Sequence, residues 1–385
     1  MNPIVVILAF AAFVSLGLPD GVLGPSWPSM HLALGVALEA LGTMATAMIG
    51  GYLLSSSLSG VLLRTVSLGA VLSLSTAGAS VAVLGIGLTQ SWPVLLLCAV
   101  LGGMSGGAID AGLNAYGAVY FSRRMMNWLH AAFGVGSTIG PLVVAGVLAS
   151  DLSWRWSYGA VGATQALLAV AFVVTRRRFD RVEAEGAAQA RAAPATATLR
   201  LRQTWFGIAA FFFYAGLEFA TAQWSYSLFV LERGAQPATA GLVVALYWGA
   251  LAAGRVVAGF VADRVDPVHL LRLCLTGVCL SALLLWLRPL PGSDFVGLVL
   301  IGGLLAPVFA TLISLTPARV GRAHSDTAIG FQISAAAVGG AAVTVAVGAG
   351  AARFGLEAAG PILFGTALLL LAAHEVVARA ARVAG

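Results

Sequence analysis

Charge is what this chain has least of. Of its 385 residues, 9% are Asp, Glu, Lys or Arg, against roughly 25% in an ordinary soluble domain. So few charges cannot cover a soluble body of this size. Lysine is absent, and all 21 basic residues are arginine. They stand singly or in short groups between apolar runs, unlike the clustered basic face of a nucleic-acid binder. Cysteine is scarce. Cys98, Cys274 and Cys279 lie in apolar runs, with neither a disulfide framework nor metal-ligand spacing. They read as small packing residues. No basic stretch precedes the first apolar run, which continues too far for a cleavable leader. Nucleophile signatures are equally thin. Gly103-Met-Ser-Gly-Gly107 fits G-x-S-x-G, but it falls inside a spanning run and no triad follows. The expectation there is small-residue helix packing. The sequence therefore argues against an enzyme, a metal site and an organic cofactor.

What is present is apolar length. The hydrophobic set makes up 59% of the chain, and glycine contributes 47 residues. A helix needs about 20 mostly apolar residues to cross a bilayer. Breaks at charges, proline and glycine leave twelve such runs, at 4–27, 37–62, 66–89, 93–121, 126–149, 155–175, 205–231, 238–262, 268–288, 294–317, 327–350 and 358–378. The expected fold is an all-α membrane protein of twelve transmembrane helices in two six-helix bundles. The expected bundles are 1–175 and 204–385, joined by a polar linker at 176–203. Sixteen arginines fall in one set of connections and termini, and four (Arg155, Arg233, Arg288, Arg353) in the other. Arg255 stands apart inside the eighth run. The positive-inside rule makes the richer side, with both termini, cytoplasmic. The expected location is the bacterial cytoplasmic membrane.

The two halves repeat at an offset of 199. Gly17-Leu18 matches Gly216-Leu217, Gly42 and Gly50 match Gly241 and Gly249, and Ser59-Gly60-Val61 matches Ala258-Gly259-Phe260. A parallel six-plus-six repeat suits a carrier built around a central path. With these features the chain resembles the major facilitator superfamily. Gly259-Phe-Val-Ala-Asp263-Arg264, with Arg255 eight residues before the acid, looks like the family's loop motif after the eighth helix. The resemblance implies a gating role for Arg255, Asp263 and Arg264. The first-half counterpart, Gly60-Val-Leu-Leu-Arg64-Thr65, lacks the acid. Gly134 to Pro141 resembles the family's fifth-helix pattern.

Three acids fall within apolar runs: Asp20, Asp110 and Glu218. A charge at mid-bilayer is costly unless it faces a cavity or a partner. No basic residue is expected at that depth, so protonation, rather than ion pairing, is the expected way to bury these acids. The resembled fold lines its cavity with the first, fourth, seventh and tenth helices, and these acids fall on the first, fourth and seventh. All three are candidates for proton coupling, with structural capping as the alternative for each. Asn114, four residues after Asp110, shares its helix face. In the seventh run Tyr214, Gln223 and Trp224 offer the amides and rings that suit a polyhydroxylated ligand, although an interfacial aromatic belt also explains Trp224. Asn127, His130 and Gln332 complete the candidate binding set. His130 reads more readily as a hydrogen-bonded packing residue than as a proton relay, and Gln332 equally as a ligand contact or an interhelical bond.

Gly17-Leu-Pro-Asp20, Asp110-x3-Asn114, Asn127-Trp-Leu-His130 and Tyr214-x-Gly216-x-Glu218-x5-Trp224 resemble the fucose permease branch, the sugar:proton symporters. There, one acid on helix 1 and one on helix 4 serve proton coupling and sugar recognition, and the resemblance implies those roles for Asp20 and Asp110. The helix-4 acid is Glu in that permease and Asp here. The expected function is proton-coupled uptake of a neutral sugar or similar small metabolite by a monomer, with the bilayer as its other partner. Sodium remains open as the coupling ion. Proton-driven efflux and a non-transporting sensor are the alternatives.

Overall fold

The computed structural model describes residues 3–179, 194–261 and 264–383. Within these, the side chains of Arg64, Arg123, Arg124 and Asn127, among a few others, are not described. The first six spans are α1 (Pro3–Leu34), α2 (Ala40–Thr65), α3 (Leu68–Leu88), α4 (Trp92–Tyr120), α5 (Arg123–Ala149) and α6 (Arg155–Thr175). A short α7 (Ala195–Leu199) precedes the second six. These are α8 (Arg202–Ser227), α9 (Pro237–Val261), α10 (Pro267–Leu287), a broken span made of α11 (Ser293–Leu305) and α12 (Val308–Val320), α13 (Arg322–Phe354) and α14 (Ala359–Val383). Eleven of the spans among the described residues are long and apolar enough to cross a membrane. The twelfth, α2, is a 26-residue helix diluted by Ser55, Ser56, Ser57 and Ser59. The tenth span divides at Ala306-Pro307, because proline donates no backbone hydrogen bond to the preceding turn. Large apolar side chains such as Leu74, Leu97, Leu167 and Leu273 stay exposed, as lipid-facing positions require.

Close helix crossings follow from glycine. Gly17 and Gly21 on α1 lie against the α5 backbone at Phe133 and Ser137, while Gly136 and Gly140 on α5 lie against α1 at Val14 and Gly21. The Gly17-to-Asp20 and Gly134-to-Pro141 motifs are thus the two sides of one crossing. Pro19 within α1 cannot donate to the Ser15 carbonyl. Gln165 on α6 donates to it instead, at 3.1 Å. The G-x-S-x-G segment does the same packing work: Gly103 and Gly107 receive the α2 backbone at Met48 and Tyr52.

The two bundles meet along α2–α13, α5–α9 and α1–α8. Gly42 packs on Val345, Gly348 on Glu39, Gly241 on Ala145, Gly249 on Thr138 and Gly134 on Ala252. These contacts run from mid-helix towards the end opposite the arginine-rich face. The repeat-related Gly42 and Gly241 therefore serve equivalent seams. At the arginine-rich end the same helices expose Leu54, Leu58, Val257, Phe260 and Ile333.

The two ends use arginine differently. Opposite the rich face, Arg155 donates to the Gly87 and Thr89 carbonyls, both at 2.7 Å. Arg233 pairs with Asp294 at 3.0 Å and Glu357 at 2.7 Å, and Arg288 reaches Glu357 at 3.4 Å. Three of the four arginines there are thus committed to internal bonds. On the rich face, Arg272 pairs with Glu375 at 2.6 Å. Trp27 is buried and donates to the Leu38 carbonyl at 2.7 Å.

Candidate functional site

Close approach of α2 to α4 at Gly103 and Gly107 brings Tyr52 within reach of the next turn of α4. The Tyr52 hydroxyl donates to Asp110 Oδ2 at 2.7 Å, and Asn114 Nδ2 donates to Oδ1 at 2.9 Å. Both carboxylate oxygens are held by neutral donors from the first bundle. Asp110, Asn114 and Asp20 each retain accessible surface. The Asp20 carboxylate has no hydrogen bond among the described residues. Its main-chain carbonyl accepts from Gln223 Nε2 at 3.2 Å, across the bundle boundary. His130 sets its ring edge-on to Phe13, with centroids 5.3 Å apart. It lies within electrostatic range of both Asp110 and Arg255.

The second bundle handles its acid differently. Glu218 is 4% exposed. Arg255 Nη2 lies 3.3 Å from both of its carboxylate oxygens. Tyr214 donates a short hydrogen bond to Glu218 Oε2. Tyr247 donates to the Glu218 main-chain carbonyl at 2.8 Å. This overturns the expectation that no cation sits at the depth of the acids. Arg255 stands within α9 rather than in the turn that follows it. It faces inward from α9, and its side chain is 23% exposed.

Several candidate ligand contacts are in packing positions. Trp224 is fully buried and donates to the Thr344 carbonyl at 3.0 Å. Gln332 is buried and accepts from Thr316 at 3.0 Å, which makes it an interhelical bond. Tyr214 is occupied with Glu218, and Gln223 ties α8 to α1. Asp110 and Asn114 on one face of α4, His130 on α5, Asp20 on α1 and Arg255 on α9 keep accessible surface. Arg264 is exposed in the turn after α9. Asp263 lies outside the described residues, as does the Asn127 side chain. Tyr52 was missed by sequence reasoning. A lone tyrosine beside two glycines carries no local sign that it meets an acid 58 residues away.

Comparison with known proteins agrees with this architecture. The sequence pattern of the Major Facilitator Superfamily matches residues 6–344. The glucose/mannose transporter GlcP of Bacillus subtilis (strain 168) is 22% identical over 89% of this chain and 86% of its own. Sodium-dependent glucose transporter 1A of Mus musculus is also 22% identical, over 72% of this chain and 73% of its own. Among solved structures, nucleoside transporter NupG (D323A mutant) superposes with a TM-score of 0.80 at 13% identity, covering 98% of this chain and 100% of that one. FucP in its outward conformation gives 0.66 at 16% identity, covering 98% and 99%. At these identities the superpositions establish the fold.

Proposed function

The chain belongs to the Major Facilitator Superfamily, and from that premise we propose that it is a proton-coupled importer of a neutral sugar or similar polyhydroxylated metabolite. It works as a monomer in the bacterial cytoplasmic membrane, by alternating access between bundles 1–175 and 204–385. In this reading the arginine-rich face is cytoplasmic, and the joining of the bundles at the opposite end supports an inward-open state.

The observation that carries this reading is the setting of Asp110. Its two oxygens are held by Tyr52 and Asn114, and no cation bonds to it among the described residues. Glu218 has Arg255 as a permanent countercharge. A proton is then the counterion for Asp110, and its arrival removes the charge that would have to cross the apolar barrier during reorientation. Glu218 and Arg255 form a fixed pair. Asp20 supplies a second acceptor, and His130 lies within electrostatic range of both Asp110 and Arg255. Neutral ligands suit this set because hydroxyls donate to Asp20 and to the free oxygen of the Asn114 amide without leaving an unmatched charge. Relatives named for glucose, mannose, fucose and xylose support the substrate class. The fucose and xylose relatives are named as proton symporters.

Sodium is the competing ion, because mammalian relatives are named as sodium-dependent. Proteoliposomes loaded with buffer and offered labelled neutral hexoses separate the two. Accumulation under an acid-outside gradient, abolished by a protonophore and indifferent to sodium, is the expected result. Accumulation that follows a sodium gradient and ignores the protonophore refutes proton coupling. Flux only out of loaded vesicles indicates efflux, and absence of flux across the ligand panel indicates a sensor. Cysteines placed singly at Arg181 and Pro291 test orientation. Only the latter should react with an impermeant thiol reagent from outside intact cells.

A further inference from the structure

Away from the central acids, a groove of about 310 Å³ lies between the ends of α3 and α6 opposite the arginine-rich face. Leu84, Gly87, Leu88 and Gln90 form one wall, and Arg155, Trp156 and Gly159 form the other. Its chemistry changes with depth. Arg155 and Gln90 stand at the mouth, where the helices end. Leu84 on α3 and Gly159 on α6 lie about one turn deeper. Leu88 is 80% exposed and Trp156 64%, so the groove opens outward from the bundle. Tryptophan at a helix end marks the membrane–water interface.

Arg155 is preorganised. Its Nη1 donates to the Gly87 and Thr89 carbonyls, and its guanidinium lies 4.6 Å from the centroid of the Trp154 ring. Neither Nη2 nor Nε has a partner among the described residues. No acid pairs with Arg155 there, in contrast to Arg233 and Arg288 at the same end. The guanidinium keeps unused donors beside an apolar slot.

We infer that this groove seats one anionic glycerophospholipid, its phosphate on Arg155 and an acyl chain running past Leu88 towards Leu84 and Gly159. The order of groups from mouth to floor is cation, indole, then apolar wall, and it matches phosphate, glycerol backbone and chain. Arginine offers a planar fork of donors to a phosphate, and a desolvated apolar slot rewards each buried methylene.

Photo-crosslinking tests it on the full chain in zwitterionic nanodiscs doped with diazirine-tailed phosphatidylglycerol. Label is expected in peptides spanning 84–90 and 155–159. Unlabelled phosphatidylglycerol should compete about tenfold better than phosphatidylcholine of identical chains, the scale of one charge-assisted hydrogen bond. Glycerol 3-phosphate, which lacks chains, should not compete. Gly159→Leu should abolish the label, since a Cβ at Gly159 meets nothing within 4 Å and a larger side chain fills the slot without disturbing the helix. Arg155→Gln keeps a donor for the α3 carbonyls and should remove the preference for the anionic lipid. Equal competition by phosphatidylcholine overturns the assignment of charge. Competition by glycerol 3-phosphate overturns the lipid in favour of a free anion. Label spread evenly over the apolar perimeter, or unchanged in Gly159→Leu, overturns the site. If that variant fails to fold, competition on the unaltered protein still decides the outcome.

Discussion

The two bundles solve one electrostatic problem in two ways. Each carries an acid on an inward helix at membrane depth. In the second bundle Glu218 is bonded to Arg255 and sealed by Tyr214 and Tyr247. In the first, Asp110 has only Tyr52 and Asn114, both neutral, and keeps accessible surface. A buried charge with a permanent partner is a structural element, and removing one member strands the other. A charge with only neutral donors can be cancelled by a proton without any partner being left behind. The halves share a repeat, yet the chemistry sits in the respect in which they differ.

The sharpest way to break this contrast is to remove the countercharge. Arg255→Gln leaves Glu218 buried and unpaired, and should cost on the order of 3 kcal/mol of stability. The readout is a large drop in melting temperature in detergent. Glu218→Gln added to it should restore much of the loss. A melting curve unchanged in the single variant would mean that the pair contributes nothing.

Next in size is the first-bundle acid. Asp110→Asn should fold and exchange labelled for unlabelled substrate across vesicles, yet lose accumulation driven by a pH gradient. Continued accumulation would move the coupling role to Asp20. Loss of exchange together with accumulation would make Asp110 a ligand contact.

Tyr52→Phe sharpens the comparison more gently. It removes one hydrogen bond to a carboxylate and leaves the ring in place. A cost of about 1 kcal/mol, roughly a fivefold change in exchange rate or substrate affinity, is expected. The equivalent change Tyr247→Phe touches only a main-chain carbonyl of the fixed pair and should leave transport unaltered. Equal effects from the two would erase the proposed difference between the bundles.

The smallest effect lies outside both clusters. Asp266 caps α10, accepting from the His269 amide at 2.9 Å. That amide and the His269 ring hold the Asp266 carboxyl below its ordinary range. A depressed acid stabilises the fold above its unfolded titration range and loses that contribution as pH falls through the folded value. Asp266→Ala should therefore lower the melting temperature slightly at neutral pH and converge with the parent in strong acid.

Much was legible from the chain alone. Hydropathy and spacing gave the spans, because each helix answers to its own residues and to the bilayer's thickness. The polar gap and the glycine repeat indicated two bundles. The segment Gly103 to Gly107 read as small-residue helix packing, and in the structure Gly103 and Gly107 receive the α2 backbone. Asp110 and Asn114 could be placed on one face because the helix period relates residues four apart. The pairing of Glu218 with Arg255 was not legible. These residues are 37 positions apart on different helices, and whether they meet depends on the rotation and crossing of α8 and α9, which hydropathy does not encode. The same holds for Tyr52 with Asp110, for Trp224 and Gln332 as packing rather than open contacts, and for the Arg155 groove. Sequence determined which segments enter the membrane and which residues could bear charge there. Tertiary structure decided which of those charges found a partner, because that depends on side-chain distances of a few ångströms between helices remote in the chain.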